Sequence, residues 1–159
     1  MRAFVRIMDR LSTACAVVAA LLLAASVVVI TWMVIYRAMG NSTYWEIEFA
    51  VFMMVAALFL GSPYCLKSHG HVGVDLLSHY LPSGPRRVLG VVIGVVGCIV
   101  CAYLAYAGGL LTFESFVKGE RTESTWGPHK WPLFLTMPVG MALTALQYLA
   151  EFAREENAP

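Results

Sequence analysis

Cys98-Ile-Val-Cys101 has the spacing of a thiol-disulfide centre, in which one thiolate attacks and the other resolves. His71, Asp75 and His79, four residues apart with His69 nearby, have the spacing at which ligands on one helix face converge on zinc. Glu46 and Glu48 are the acids that could couple a proton or an ion, although both fall at the membrane edge, where structural roles are favoured. Each group also has a purely structural reading. The two thiols fall in the middle of an apolar run, and no cysteine in the segments expected outside could exchange with them. All four cysteines therefore read as small apolar packing residues, and no cofactor is expected. His71, Asp75 and His79 form the polar side of a segment whose other side is Val72, Leu76, Leu77, Tyr80 and Leu81, as a helix lying on a membrane surface requires, so no metal is expected. Thr43-Tyr-Trp-Glu46 has the form of a capping box. Glu48, one turn in, suits the positive end of a helix dipole and is expected to pair with Arg37 across a tight turn.

The elements that position these groups follow from composition. The chain has 159 residues, of which 59% are hydrophobic and 13% charged, against about a quarter charged in soluble domains. Four runs contain no Asp, Glu, Lys, Arg or His: Leu11 to Tyr36, Phe49 to Leu66, Val88 to Phe113 and Trp131 to Ala150. A helix needs about 20 such residues to cross the hydrocarbon, so the chain reads as an all-α membrane domain over 1–159. Its four spans are predicted at about 11–36, 46–66, 88–113 and 131–150, with an interfacial amphipathic helix at about 71–81 stopped by Pro82-Ser-Gly-Pro85. The first run has 26 uncharged residues, too many for the roughly 7–15 of a signal peptide. With both termini in the cytoplasm, seven Lys and Arg fall inside and four outside, which favours an N-in, C-in orientation. A net charge of +1, with no basic patch interleaved with aromatics, gives no reason to expect nucleic acid.

Small residues mark faces where helices approach closely. Ala16, Ala20 and Ala24 line one side of the first span, and Gly90, Gly94 and Cys98 one side of the third. These stripes face either each other or another protein. Pro138 and Gly140 are expected to kink the fourth span or leave room for a neighbour. The loop from Glu114 to Lys130, with three positive and three negative charges, reads first as an ordinary solvated loop and second as a docking surface formed by Glu120, Arg121, Glu123 and Trp126, with Trp126 and Trp131 suited to the membrane boundary.

From Arg37 to Arg87 the order of residues resembles the small, Q-type membrane subunit of tripartite ATP-independent periplasmic (TRAP) transporters. The likeness rests on Arg37, Trp45-Glu-Ile-Glu48-Phe, Gly61 ten residues before His71, His71-Val-Gly-Val-Asp75-Leu-Leu, Leu81-Pro82 and Arg86-Arg87. Farther on, Pro138-x-Gly140 and Leu146-Gln147 are similar to the family's last helix. The family's paired acids follow the Trp by two and three residues, whereas here they follow by one and three, so Glu48 is the acid that corresponds.

This resemblance implies a scaffold subunit of the bacterial inner membrane, not an enzyme and without a substrate site. Its expected partners are membrane lipid, a large membrane subunit that holds the sodium and substrate sites and moves like an elevator, and a periplasmic solute-binding protein. The cargo is expected to be an organic acid taken up with sodium. Arg37, Trp45, Glu48, Gly61, His71 and Asp75 would then serve structure and assembly. Spans free of ionisable groups agree with this, since a charge at the centre of a span costs about 2.5–3.5 kcal/mol on insertion scales. The competing reading is a four-helix thiol-quinone oxidoreductase using Cys98 and Cys101. A haem protein would need histidines within its spans, and a multidrug exporter an acid deeper than Glu48.

Overall fold

The computed structural model describes residues 2–68 and 83–156. They form four helices: α1 (Arg2–Ala38), α2 (Glu46–Lys67), α3 (Ser83–Lys118) and α4 (Trp131–Glu156). Each carries a stretch long and apolar enough to cross a membrane. α1, α2 and α3 overrun their uncharged runs at both ends and α4 overruns its run at the C-terminal end, because nothing in the flanking charged residues opposes helix once they reach headgroups and water. The expected interfacial helix at 71–81 lies outside the described residues.

Both turns at the end of the bundle away from the termini stop their helices alike. Gly40 has φ +85 and Gly119 φ +62, a conformation that costs glycine little. Gly40 N–H donates to Arg37 O and Asn41 N–H to Tyr36 O; Gly119 N–H donates to Phe116 O and Glu120 N–H to Ser115 O. Each pair is the two-bond C-terminal cap that satisfies a helix's last carbonyls around a left-handed residue.

α4 is the centre of the packing. Among the described residues it touches α1, α2 and α3, whereas α3 touches α4 alone. The buried residues of α4, Gly140, Thr144, Gln147 and Ala150, recur at helical spacing on one face. The first pair of helices buries Met8, Ser12, Ala19 and Ser26 of α1 and Ala50, Met53, Ala57 and Pro63 of α2. Most of these side chains are small. In lipid, apolar area does not drive helices together, so close backbone approach and dispersion must do it. The closest approach is at Gly140, where a Cβ would stand 2.3 Å from Phe59 O on α2. α4 runs through Pro138 without interruption, and Gly140 provides the room for a neighbour.

The stripes resolve separately. α1 and α3 are not in contact, so their small residues do not face each other. On α1 the inward face runs through Ser12, Ala19 and Ser26; Ala16 sits at its edge, and Ala20 and Ala24 are exposed. On α3, Gly94 and Gly97 receive the ring tips of Phe152 and Tyr148 from α4, while Gly90 is exposed with nothing near it. An added Cβ at Gly94 would stand 2.5 Å from Phe152 Cζ. Gly94→Leu is therefore expected to loosen the α3–α4 pair within the chain itself. Overpacking by about 1–3 kcal/mol at about 2–4 °C per kcal/mol predicts a thermal midpoint lower by roughly 5 °C in the isolated protein. A midpoint unchanged in detergent, with only the assembled complex weakened, would move Gly94 out of this seam.

Candidate assembly site

Two polar and aromatic clusters, one at each end of the bundle, hold the polar contacts between separate elements described below. At the end with the termini, α1 contributes Asp9, Ser12 and Thr13, α2 contributes Lys67, and α4 contributes Gln147. Gln147 is wholly buried, and its Oε1 accepts a 2.8 Å hydrogen bond from Ser12 Oγ. Its Nε2 points to Asp9 Oδ1 at 3.5 Å. Lys67 Nζ donates to Asp9 O and Thr13 Oγ1, both at 3.1 Å, and lies 4.0 Å from Asp9 Oδ1. One turn deeper, Thr144 Oγ1 donates to Gly140 O of its own helix at 2.8 Å and shares a 3.0 Å hydrogen bond with Ser62 Oγ of α2. Three helices are thus joined by hydrogen bonds where lipid would otherwise leave polar atoms without partners. Sequence reasoning did not assemble this cluster. The available signal was a glutamine within the uncharged run from Trp131 to Ala150.

At the other end, the loop after α3 folds back over the start of α2. Ser124 Oγ donates to Glu48 Oε2. Trp45, Phe49 and Trp126 form a ring cluster with centroids 5.9 to 6.3 Å apart. The loop is braced by an isolated bridge between Arg121 and His129, and by Thr122 N–H to Pro128 O and Lys130 N–H to Glu120 O. Phe116 meets Trp131 edge to face across its base. Of the candidate docking residues, Glu120 accepts from Ser115 Oγ at 2.8 Å and Trp126 packs on α2, while Arg121 and Glu123 are exposed.

Two expectations at this end need correction. Arg37 and Glu48 form no ion pair, because Ser124 from the distant loop takes the Glu48 carboxylate and Arg37 stays exposed at the last turn of α1. The capping box at Thr43 and Glu46 does not form either. α2 begins at Glu46, and Trp45 at its N-cap makes no side-chain cap bond. Thr43 Oγ1 and Glu46 Oε2 are buried with no hydrogen-bond partner among the described residues. Trp45 packs at a tilt against Phe49 and Trp126 at the start of the helix, which begins later than the hydroxyl would start it. Glu46 remains in the first turn, where the helix dipole favours a carboxylate.

The other expected site residues separate by place. Gly61 of α2 lies against Ala19 of α1, with 3.7 Å between Ala19 Cβ and the position a Cβ would take. His71 and Asp75, with His69 and His79, lie outside the described residues. Cys98 is half-buried, with Sγ 3.8 Å from Ala145 O of α4, and Cys101 is half-buried on the same helix. An open groove of about 550 Å³ runs between α3 and α4 near Trp131, lined by Gly109, Phe113, Phe116, Leu135 and Pro138 among others, and almost wholly apolar. It offers little to hold a charged solute.

Residues 26–157 match the family described as the DctQ component of tripartite ATP-independent periplasmic transporters. Among curated relatives, the chain is similar to the C4-dicarboxylate TRAP transporter small permease protein DctQ of Pseudomonas aeruginosa, at 35% identity over 100 residues covering 57% of this chain and 44% of that protein. It is similar to the ectoine TRAP transporter small permease protein TeaB of Halomonas elongata, at 25% identity over 112 residues, 70% of this chain and 58% of the relative. The C4-dicarboxylate TRAP transporter small permease protein DctQ of Vibrio cholerae is 25% identical over 138 residues, 69% of this chain and 56% of the relative. The chain spans about half the length of the curated relatives it matches.

Proposed function

This chain belongs to the DctQ-component family of tripartite ATP-independent periplasmic transporters, a family of non-enzymatic, multi-pass inner-membrane subunits, and from that premise we propose that it is the fixed scaffold on which a large membrane subunit moves. The large subunit carries the cargo and sodium sites and works as an elevator. A periplasmic solute-binding protein delivers the cargo, an organic acid. Both termini lie in the cytoplasm.

One observation supports this division of labour above the others. Among the described residues, the buried polar side chains Ser12, Gln147 and Thr144 tie this chain's own helices together. The groove on its surface is apolar. A carboxylate crossing the membrane needs fixed donors or a cation at depth, and the lining of this groove supplies no charged group. The cargo site therefore belongs to the partner. Two of the similar proteins are named for C4-dicarboxylates, which supports the organic-acid class.

The test is a mild-detergent pull-down of the tagged chain from its native membranes, with the partners identified by mass spectrometry. A large polytopic protein recovered in near-equal amount is expected, and recovery of this chain alone would overturn the scaffold reading. The thiol-quinone reading gains no support from the structure, where Cys98 packs against the α4 backbone. Replacing Cys98 and Cys101 together by serine is accordingly expected to leave sodium-dependent uptake within about twofold of wild type, since Ser and Cys differ little in size. Loss of uptake with the complex intact would reinstate a redox role.

A further inference from the structure

We infer that the outward face of α3, centred on Tyr103 and Tyr106, is where the large membrane subunit docks, through hydrogen-bond acceptors that it places near the middle of the bilayer. The inference rests on the scaffold reading above and names the surface that reading leaves open.

α3 is the helix with the least cover. Among the described residues it touches α4 alone, and they bury no part of its most apolar window. Its inward side carries Gly94, Gly97, Cys98 and Gly108, all seated on α4. The opposite side carries Val92, Ile99, Tyr103, Tyr106, Leu110 and Phe113, all exposed. Apolar members of that row are at home in lipid. The two tyrosines, exposed at 68% and 66%, are not.

Depth decides the matter. The uncharged run from Val88 to Phe113 has its midpoint between Val100 and Cys101. Side chains on a helix lean toward its N-terminus, so each phenol hydroxyl lies about one turn before its own Cα. That places the Tyr103 hydroxyl near the level of Ile99 and the Tyr106 hydroxyl near Ala102, both within about 3 Å of the midpoint at 1.5 Å per residue. Tyrosine at a membrane edge reaches water with its hydroxyl; these two lean away from the nearer edge, toward the centre. Neither has a hydrogen-bond partner among the described residues.

The hydroxyls of Ser and Thr in the spans behave differently. Ser26 donates to Leu23 O, Thr31 to Val27 O, Thr112 to Gly108 O and Thr136 to Leu133 O, all at 2.7 to 2.8 Å. A short side chain folds back onto its own helix; a phenol is too long and rigid to do so. Two donors held three residues apart, and so on one face, call for acceptors on a neighbouring chain at the same depth. Lipid tails have none. A membrane helix with a free carbonyl, or with a Ser, Asn or Gln side chain, supplies them.

The experiment introduces a photoreactive phenylalanine analogue at position 103, or at 106, of the tagged chain in membranes that hold the whole transporter. After irradiation, a cross-link to the large subunit is expected from both positions. In parallel, Tyr103→Phe with Tyr106→Phe removes only the two hydroxyls. It is expected to lower the recovered large subunit about tenfold at limiting concentration, about threefold for each hydrogen bond between membrane helices. Cross-links to lipid alone, or to a second copy of this chain, while the unmodified chain still recovers the large subunit, would overturn the proposed face and leave the scaffold reading standing. Full recovery with the double phenylalanine variant would remove the hydrogen-bonding part of the proposal. Failure of the unmodified chain to recover a large subunit would overturn the scaffold reading itself, and the docking face with it.

Discussion

Replacing Gly140 by valine is expected to abolish the native packing of α2 on α4, and replacing it by alanine to weaken that packing severely. A Cβ at this position would stand 2.3 Å from Phe59 O, 2.6 Å from Phe59 C and 2.8 Å from Phe59 Cβ. The ordinary approach of carbon to a carbonyl oxygen is about 3.3 Å or more, so the two helices would have to separate by about 1 Å. The obstacle is backbone, which cannot swing aside as the ring of Phe152 can beside Gly94. Separation also stretches the 3.0 Å bond from Thr144 to Ser62 one turn away, and thins the dispersion contacts that hold helices together in lipid. Overpacking costs about 1–3 kcal/mol where side chains can adjust; here a loss of about 3 kcal/mol for alanine and more for valine is expected. The readout is thermal unfolding in detergent, followed by a thiol-reactive dye that reports exposure of the half-buried Cys98 and Cys101. Gly109→Ala, where a Cβ meets open space, and Gly61→Ala, where it meets ordinary contact at 3.7 Å, are expected to stay within about 2 °C of the parent. If Gly140→Val behaved like these two, the α2–α4 approach would be wrong.

The contrast among these glycines shows what a sequence of this kind reveals. The four helices were legible because their signal is one-dimensional: about 20 uncharged apolar residues in a row leave few alternatives. Gly140 and Gly94 were legible as sites of close packing, but not their partners. Gly94 suited a seam with another protein as well as the seam with Phe152 that the structure shows, because spacing along one helix carries no information about the neighbour. The same limit accounts for Glu48. Arg37 was the nearest opposite charge in sequence, whereas Ser124 lies 76 residues away and reaches it only through the loop's fold. At Thr43 and Glu46 a local pattern was legible and lost to tertiary packing, since the Trp45, Phe49 and Trp126 cluster fixes where α2 begins. Tyr103 and Tyr106 needed both kinds of information. Their depth follows from the run of residues, but their exposure follows from α4 taking the glycine side of α3.

The largest loss among charge-changing substitutions is expected from Gln147→Glu, which keeps the shape of the side chain and changes one group. Gln147 is wholly buried between α1 and α4, with its Oε1 on Ser12 and its amide nitrogen 3.5 Å from Asp9 Oδ1. A glutamate there still accepts from Ser12. On its other side, however, a donor facing a carboxylate becomes a second carboxylate facing it. Lys67 stands 4.0 Å from Asp9 Oδ1 and donates to Asp9 O and Thr13 Oγ1, so it is already engaged and offsets little of the added charge. An uncompensated buried charge costs about 3–5 kcal/mol, which at about 2–4 °C per kcal/mol predicts a midpoint lower by roughly 10 °C near neutral pH. The sign with pH follows from proton binding. Two carboxylates that share a site hold a proton in the folded state that each releases when unfolded, so stability of the variant falls as pH rises and returns as pH falls. Gln147→Met removes both hydrogen bonds of the amide, including the Ser12 bond that glutamate keeps, without adding charge, and is expected to cost about 1–2 kcal/mol with no such dependence, because Ser12 can turn back to its own helix. The difference between the glutamate and methionine variants at pH 8 therefore measures the electrostatics of the three-helix junction separately from its packing. Equal midpoints for the two would mean that water reaches Gln147, and that the end of the bundle holding Asp9 and Lys67 is open where the structure closes it.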